Sequence, residues 1–439
     1  MINTETFQCK TEFQESESMT REEKSWILYD VANSAFILTI ATAVMPIFFK
    51  NVAARGVDSA VSTANWGLAN AFASLLLALL APFLGTLADY QGWKKRFFLG
   101  FLLLGVIFTL MLTVPGEGDQ ALCLFLYVAA YIGYAGANIF YDAFLVDVTN
   151  DRKMDWISAN GFAWGYIGST VPFILGMILI QRPAFAGFDS PLQATRAAFV
   201  ITALWWLIFS LPMIRNVHQR HYIPASAHPL RRSLRRLAAT FREIRRYRPA
   251  FLFLAAYFFY IDGVDTIIRM ATAYGVDIGM TTTQLLTIIL VIQILAFPFA
   301  LLYGKLADRV GTKPMLYAGM GVYGIIVLIA YALPSMPTAQ IRTLFYWILA
   351  VLVASSQGGI QALSRSFFGR LIPKEKSAEF FGFYNIFGKF ATILGPLLMA
   401  LASRITGQSR YGILSLVVLF LIGGLLLSRV PISVGTREE

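Results

Sequence analysis

Apolar stretches long enough to cross a lipid bilayer recur along this chain of 439 residues. A membrane-spanning helix needs about 20 mostly apolar residues. Charged residues make up only 14 % of the chain, and hydrophobic ones make up 57 %. A soluble domain carries about 25 % charged residues, so the composition excludes a soluble enzyme. We predict an all-α membrane protein whose twelve transmembrane helices lie near 25–49, 62–86, 95–114, 119–147, 156–180, 194–214, 250–274, 283–307, 313–333, 340–365, 377–403 and 409–430.

The basic residues are unevenly distributed between the two sides of the membrane that the predicted helices would connect. Of the 36 Lys and Arg residues, 27 fall in the tails and loops of one side and seven in the loops of the other. Cytoplasmic loops of membrane proteins carry the excess of positive charge. We therefore expect a multi-pass protein of the cytoplasmic (inner) membrane with both termini cytoplasmic. The predicted domains are a flexible tail at 1–24, a six-helix bundle at 25–214, a linker at 215–249, a second bundle at 250–430 and a tail at 431–439.

The predicted linker is strongly basic, with ten Arg and a single Glu, Glu243. Within 230–247, Leu234, Leu237, Phe241 and Ile244 recur at helical spacing among arginines. This pattern fits an amphipathic helix on an anionic membrane surface. The alternative is a solvated linker whose charge only sets orientation. Because the net charge of +11 is spread over membrane loops, we expect lipid rather than nucleic acid as its partner.

The two predicted bundles repeat one another in sequence. The pattern G-x-L-A-D-x-x-G-x-K occurs at 85–94 and again at 304–313, an offset of 219 residues. The same offset maps 158–159 onto 377–378 and 174–176 onto 393–395. Several matches at one offset of about half the chain indicate a duplicated six-helix unit.

Two six-helix repeats with paired G-x-L-A-D-x-x-G-x-K loops resemble the major facilitator superfamily. The segment 26–36, together with 361–366 and 381–384, is similar to the vacuole-effluxer-like (autophagy-related) branch. The resemblance implies a secondary transporter that works by alternating access, with helices 1, 4, 7 and 10 lining a central cavity. The branch implies efflux of amino acids.

The same resemblance implies that the paired loops act as a conformational latch. It places Asp89 against the N-terminus of helix 11 near Ser377, and Asp308 against that of helix 5 near Ser158. We predict Ser158 and Ser377 as N-caps of those helices. The alternative is a pair of simple turns with orienting charges. The candidate latch residues are Gly85, Asp89, Gly92, Lys94 and Arg96, and Gly304, Asp308, Arg309, Gly311 and Lys313.

Polar side chains inside the predicted helices are candidates for substrate or proton binding. A charge at the centre of a membrane helix costs roughly 2.5–3.5 kcal/mol on insertion scales, and such residues usually mark pathways. Asp30 and Asp142 rank first because no cation lies in their own helices. Asp147 and Arg365 are expected to anchor loops. The candidates are Tyr29, Asp30, Asn33, Asn138, Tyr141, Asp142, Asp262, Asp265, Arg269, Gln293, Gln357, Gln361, Tyr384, Asn385 and Lys389.

Some of these candidates can form pairs of opposite charge. Asp262, Asp265 and Arg269 stand at i, i+3 and i+7, so they are predicted to share one face of helix 7. This face either binds a zwitterion or exchanges a proton, or it is a structural ion network with Asp265 paired to Arg269. Lys389 is the candidate for a substrate carboxylate, or for pairing with one of the intramembrane Asp residues.

Several chemistries lack the residues they require. Two cysteines, Cys9 and Cys123, and three histidines give no disulfide scaffold, thiolate metal site or catalytic triad. No phosphate-binding loop is present in the sequence. We predict no cofactor, no metal and no enzyme activity, and we expect a monomer. The predicted function is secondary transport of a small polar solute, as efflux of an amino acid or related metabolite. The alternatives are a proton-coupled drug, siderophore or metabolite transporter, and a non-transporting receptor or scaffold.

Overall fold

The computed structural model describes residues 18–224, 228–242, 246–277, 280–391 and 393–431. Within these residues the chain forms two bundles of six long helices, which confirms the predicted fold class. The first bundle contains α1 (Arg21–Ala53), α2 (Ser59–Ala88), α3 (Trp93–Met111), α4 (Gln120–Ala143), α5 (Met154–Gln181) and α6 (Pro191–Asn216). The second contains α7 (Arg248–Asp277), α8 (Thr282–Val310), α9 (Thr312–Ala332), α10 (Ala339–Leu371), α11 (Ser377–Phe390 as α11a, Leu394–Thr406 as α11b) and α12 (Ser409–Ser415 and Val417–Ser428).

Local sequence signals explain where several helices begin. Thr20 caps α1, and its hydroxyl accepts a hydrogen bond from the Glu23 amide while the Glu23 carboxylate accepts one from the Thr20 amide. Thr281 and Gln284 form the same reciprocal pair at the start of α8. Such capping boxes satisfy backbone N–H groups that the first turn of a helix leaves free.

One helix differs from the others in the charges of its first turn. Among the described residues, eleven helices are long and apolar enough to cross a membrane. The remaining one, α3, has 19 residues and carries Lys94, Lys95 and Arg96 in its first turn. It packs within the first bundle against α4 and α6. The three charges of α3 therefore lie at its N-terminal end, and the helix packs as a member of the bundle.

The connection between the bundles contains a short helix, which we call the linker helix (Pro229–Arg242). It covers much of the predicted amphipathic segment 230–247, and it packs against α2. Ile244, which we predicted to belong to its apolar stripe, lies outside the described residues, as do 1–17 and 432–439.

The bundles meet most extensively along two helix pairs, α2 with α11a and α5 with α8. The first glycine of each repeated loop pattern lies at one of these contacts. A Cβ on Gly85 would stand 2.3 Å from the Ala378 carbonyl oxygen, and one on Gly304 would stand 2.7 Å from the Ala159 Cβ. The second glycine of each pattern forms the turn, since Gly92 and Gly311 adopt φ angles of 75° and 94°.

We expect Gly85→Ala to lower the thermal unfolding temperature of the purified protein. The added methyl group meets backbone atoms that cannot rotate away, and overpacking of this kind costs roughly 1–3 kcal/mol. Gly67→Ala in the same helix is the matched control, because nothing lies within 4 Å of a Cβ there. Equal unfolding temperatures for the two variants would show that the bundles do not depend on this contact.

Candidate functional site

One face of the molecule carries both repeated loops and the linker helix, and we call it the loop face. On it, Asp89 of the first loop accepts hydrogen bonds from the backbone amides of Ala378 (2.9 Å) and Glu379 (3.3 Å) at the start of α11a. These amides belong to the first turn, where N–H groups lack partners and the helix dipole favours an anion. The predicted contact between Asp89 and helix 11 is therefore present.

A buried lysine adds a second contact across the bundles. The Lys94 ammonium lies 2.7 Å from the Asp147 carboxylate and 2.7 Å from the Ser377 hydroxyl. Ser377 is consequently not an N-cap, because α11a begins at this residue and its hydroxyl binds Lys94 instead. Asp147 also accepts hydrogen bonds from the backbone amides of Arg220 (3.0 Å) and His221 (2.8 Å), so it anchors a loop as predicted, namely the one that follows α6.

The second repeat does not reproduce the first, and the prediction for Asp308 is wrong. Asp308 is exposed, and the first turn of α5 carries its own carboxylate, Asp155. Asp155 accepts hydrogen bonds from the Thr312 hydroxyl (2.6 Å) and the Arg370 guanidinium (2.9 Å). A second anion at this helix end would be repelled by the first. The contact between α5 and the second bundle is therefore made by an acid of α5 itself.

The other latch candidates of the second repeat also differ from expectation. Ser158 is not an N-cap, because α5 begins at Met154 and the Ser158 hydroxyl donates to the Ala362 carbonyl (2.7 Å). Lys313 donates to the Ser428 and Val430 carbonyls at the end of α12. Arg96 and Arg309 are exposed on the loop face.

Arg365 of α10 binds two carboxylates of the opposite bundle. Its guanidinium lies 3.3 Å from Asp30 and 3.2 Å from Asp142, and it donates to the Ser158 hydroxyl at 3.0 Å. The indole of Trp26 faces the guanidinium at 4.6 Å. Arg365 is only 3 % exposed. The expectation that it anchors a loop is therefore wrong, because it forms a buried bridge between the bundles.

The remaining candidates of α1 and α4 surround this bridge. The Tyr141 hydroxyl donates to Asp30 at 2.7 Å, and the Asn33 amide donates to Asn138 at 2.8 Å. Tyr29 is fully buried and packs against the Tyr141 ring. In this conformation these side chains line the seam between the bundles rather than the cavity described next.

A cavity of about 620 Å³ lies between the bundles, on the side away from the loop face. Its wall includes five of the predicted residues and six polar residues that we did not predict. The predicted ones are Asp265, Arg269, Gln293, Gln357 and Gln361, and the additional ones are Thr42, Asn70, Tyr127, Tyr131, Tyr166 and Tyr346. Tyr127 and Tyr131 continue the face of α4 formed by Tyr134 and Asn138, so their spacing could have revealed them.

Lys389 lies next to this cavity. Its ammonium is 2.9 Å from the hydroxyl of Tyr131, which lines the wall. Both Lys389 and Arg269 are within electrostatic range of Asp265. The other two predicted residues of α11a make different contacts. The Asn385 amide donates to the Phe381 carbonyl, and the Tyr384 ring stacks on Tyr257 at 4.4 Å.

Asp262 does not share the cavity wall with Asp265 and Arg269, so this part of the predicted helix 7 face is wrong. Its carboxylate accepts the Gly395 amide at 2.9 Å and the Thr266 hydroxyl at 3.2 Å. Gly395 lies in the first turn of α11b, after the interruption of α11. Asp262 therefore accepts a hydrogen bond from the helix N-terminus that this interruption creates.

The described parts of the chain offer no metal centre, since no three His, Cys, Asp or Glu residues there are grouped to hold an ion.

Two repeated six-helix bundles, closed together at one face and separated by a cavity beyond it, define a transporter of the major facilitator superfamily. A solved structure of the proton:xylose symporter XylE, bound to 6-bromo-6-deoxy-D-glucose, has the same fold. Its TM-score is 0.72 at 12 % identity, over 94 % of this chain and 95 % of that one.

The chain belongs to the vacuole effluxer Atg22-like family, whose model matches residues 61–439. It is 51 % identical to the uncharacterized MFS-type transporter YxiO of Bacillus subtilis (strain 168), over 94 % of this chain and 95 % of that protein. It is 26 % identical to autophagy-related protein 22 of Yarrowia lipolytica, over 60 % of this chain and 48 % of that protein. The protein is thus a multi-pass membrane transporter and not an enzyme.

We expect Arg365→Gln to lower the thermal unfolding temperature strongly, because it leaves two carboxylates buried without a cation. Removing one partner of a buried ion pair costs roughly 3–5 kcal/mol. Adding Asp30→Asn and Asp142→Asn should recover part of the loss, since it removes the uncompensated charges. Arg152→Gln, at an exposed arginine, is the control. An Arg365→Gln protein as stable as the wild type would contradict this role of the bridge.

We also expect closure of the loop face to depend on pH through Asp89. Burial raises the pKa of Asp89 to about 8, because desolvation outweighs the lowering effects of Lys94, Arg236 and the Ala378 amide, and the nearby Glu379 acts in the same direction as burial. An exposed Asp has a pKa of about 4. The closed form therefore binds a proton more tightly than an open form. Closure is favoured at low pH and weakens as the pH rises towards about 8.

The distance between spin labels at positions 152 and 429, exposed on opposite bundles, measures this closure. In a background without native cysteines, we expect the distance to lengthen between pH 5 and pH 8. Asp89→Asn should remain closed across this range, because an amide cannot titrate. Asp89→Ala should open, because it lacks the acceptor for the amides of α11a. Unchanged pH dependence in Asp89→Asn would assign the effect to another group.

Proposed function

We propose that this protein exports an amino acid or a related zwitterionic metabolite across the cytoplasmic membrane by alternating access. The observation that carries the proposal is the cavity wall, where Asp265 and Arg269 bring opposite charges to one cavity. The ammonium and carboxylate of a zwitterion match such a pair. A volume of about 620 Å³ falls within the range of about 300–1,000 Å³ that is usual for small-molecule sites.

The proposed orientation places the loop face in the cytoplasm. The excess of Lys and Arg on that side supports it. The structure then corresponds to a transporter whose cytoplasmic gate is closed and whose cavity lies towards the exterior.

In this scheme the contacts on the loop face form the gate. Asp89, Lys94 and Arg365 each bind a group of the other bundle, and these contacts must break for the cavity to reach the cytoplasm. We therefore assign Asp30 and Asp142, as the partners of Arg365, to the gate. We assign Asp265, Arg269 and Lys389 a role in binding the substrate.

The lining of the cavity also favours a second candidate function. Four tyrosines and a series of isoleucines surround the charged pair. A wall of this kind suits a larger, partly aromatic solute. The second candidate is therefore proton-coupled transport of a drug, siderophore or other bulky metabolite through the same cavity.

A thermal-shift screen of the purified protein against amino acids tests the proposal, because a ligand that binds the native state raises its apparent stability. We expect at least one amino acid to stabilise the wild type. Asp265→Asn and Arg269→Gln should each weaken its binding roughly 10- to 100-fold, since a hydrogen bond to a charged group contributes about 1.5–3 kcal/mol. The same solute should then be transported in proteoliposomes.

Arg404→Gln is the matched control, since Arg404 is an exposed arginine of α11b and is not among the residues that line the cavity. It should bind the solute as the wild type does. Stabilisation by bulky aromatic compounds but by no amino acid would favour the second candidate. Equal binding by Arg269→Gln and wild type would remove the charged pair from the site.

A further inference from the structure

The linker helix exposes a row of leucines beside a row of arginines. Leu230 and Leu234, one turn apart, are 60 % and 56 % exposed. Arg231, Arg235 and Arg242 are exposed on the adjoining flank, each about 100° around the helix from a residue of the leucine row. The described helix has five arginines and no acidic residue. Its outer surface is therefore both apolar and uniformly cationic.

The opposite surface of this helix faces the transporter. Ser233 and Thr240 are buried there, and the helix packs against α2. The linker helix thus lies beside a membrane-spanning helix, at the end where that helix leaves the bilayer. An apolar row flanked by arginines at this level matches the boundary between acyl chains and headgroups.

Arg236 joins this helix to the contact between the bundles. Its guanidinium lies 3.3 Å from Asp89 and 3.4 Å from Glu379, and it donates to the Thr86 carbonyl at 3.1 Å. Asp89 belongs to the first bundle and Glu379 to the second. One side chain of the linker helix therefore bridges the two carboxylates that meet at the gate.

We propose that the linker helix binds the anionic surface of the membrane and thereby holds Arg236 on Asp89 and Glu379. Leu230 and Leu234 enter the acyl boundary, and the arginine flank binds lipid phosphates. The planar guanidinium suits bidentate contact with phosphate, and the cytoplasmic leaflet supplies the negative charge. The proposal rests on the orientation given under the proposed function, but it does not depend on the identity of the substrate.

Hydrogen exchange on the full-length protein in nanodiscs tests both parts of this proposal. One set of nanodiscs contains only phosphatidylcholine, and the other also contains phosphatidylglycerol. Exchange in 229–242 reports on lipid contact. Exchange in 376–384 reports on the gate, because the Ala378 and Glu379 amides bind Asp89. We expect both segments to exchange more slowly in the anionic bilayer, by roughly fivefold for each arginine engaged.

Variants separate the lipid contact from the gate contact. The triple variant Arg231→Gln, Arg235→Gln and Arg242→Gln should lose the lipid effect in both segments. Arg236→Gln should retain it in 229–242 and lose it in 376–384. The matched control, Arg152→Gln with Lys153→Gln and Arg429→Gln, removes three charges elsewhere on the loop face and should behave as the wild type.

Two results would overturn the proposal. If 229–242 exchanges equally in both bilayers, the helix does not bind anionic lipid. If lipid slows 229–242 but leaves 376–384 unchanged in the wild type, the helix binds lipid without acting on the gate. Neither result bears on substrate binding, so the proposed transport function would stand or fall separately.

Discussion

The closed arrangement of the bundles depends on charges that are buried at the seam between them. Arg365 holds Asp30 and Asp142, and Lys94 holds Asp147 and Ser377. Burying an ion pair gains little net free energy, because desolvation opposes the attraction between the charges. Such contacts are specific in geometry but moderate in net strength. A transporter needs this combination, because the same seam must close firmly and also open within each cycle.

The two repeats have kept their packing and lost their electrostatic symmetry. Gly85 and Gly304 allow equivalent close approaches of helices from opposite bundles. Asp89 binds the start of α11a, whereas Asp308 leaves the corresponding position to Asp155. The bridge made by Arg365 likewise has no counterpart, since the offset of 219 places Val146 at the equivalent position. The first repeat and the linker helix therefore carry most of the titratable chemistry of the gate.

The sequence alone was sufficient for the helices, the duplication and the contact of Asp89 with helix 11. Those features follow from local composition, from a fixed offset and from the family resemblance. It was not sufficient for the partner of Asp30, because Arg365 lies 335 residues away and its own position suggested a loop end. It also placed Asp262 beside Asp265, because regular helical spacing carries no information about an interruption in a different helix.

That interruption in α11 divides the helix into two parts with different attachments. The part near the loop face is held by Asp89 of the first bundle, while the outer part is held by Asp262 of its own bundle. A continuous helix would have to tilt as a rigid rod when either attachment is released. A divided one can swing its inner arm while the outer arm stays seated, so the gate can move without displacing the far wall of the cavity.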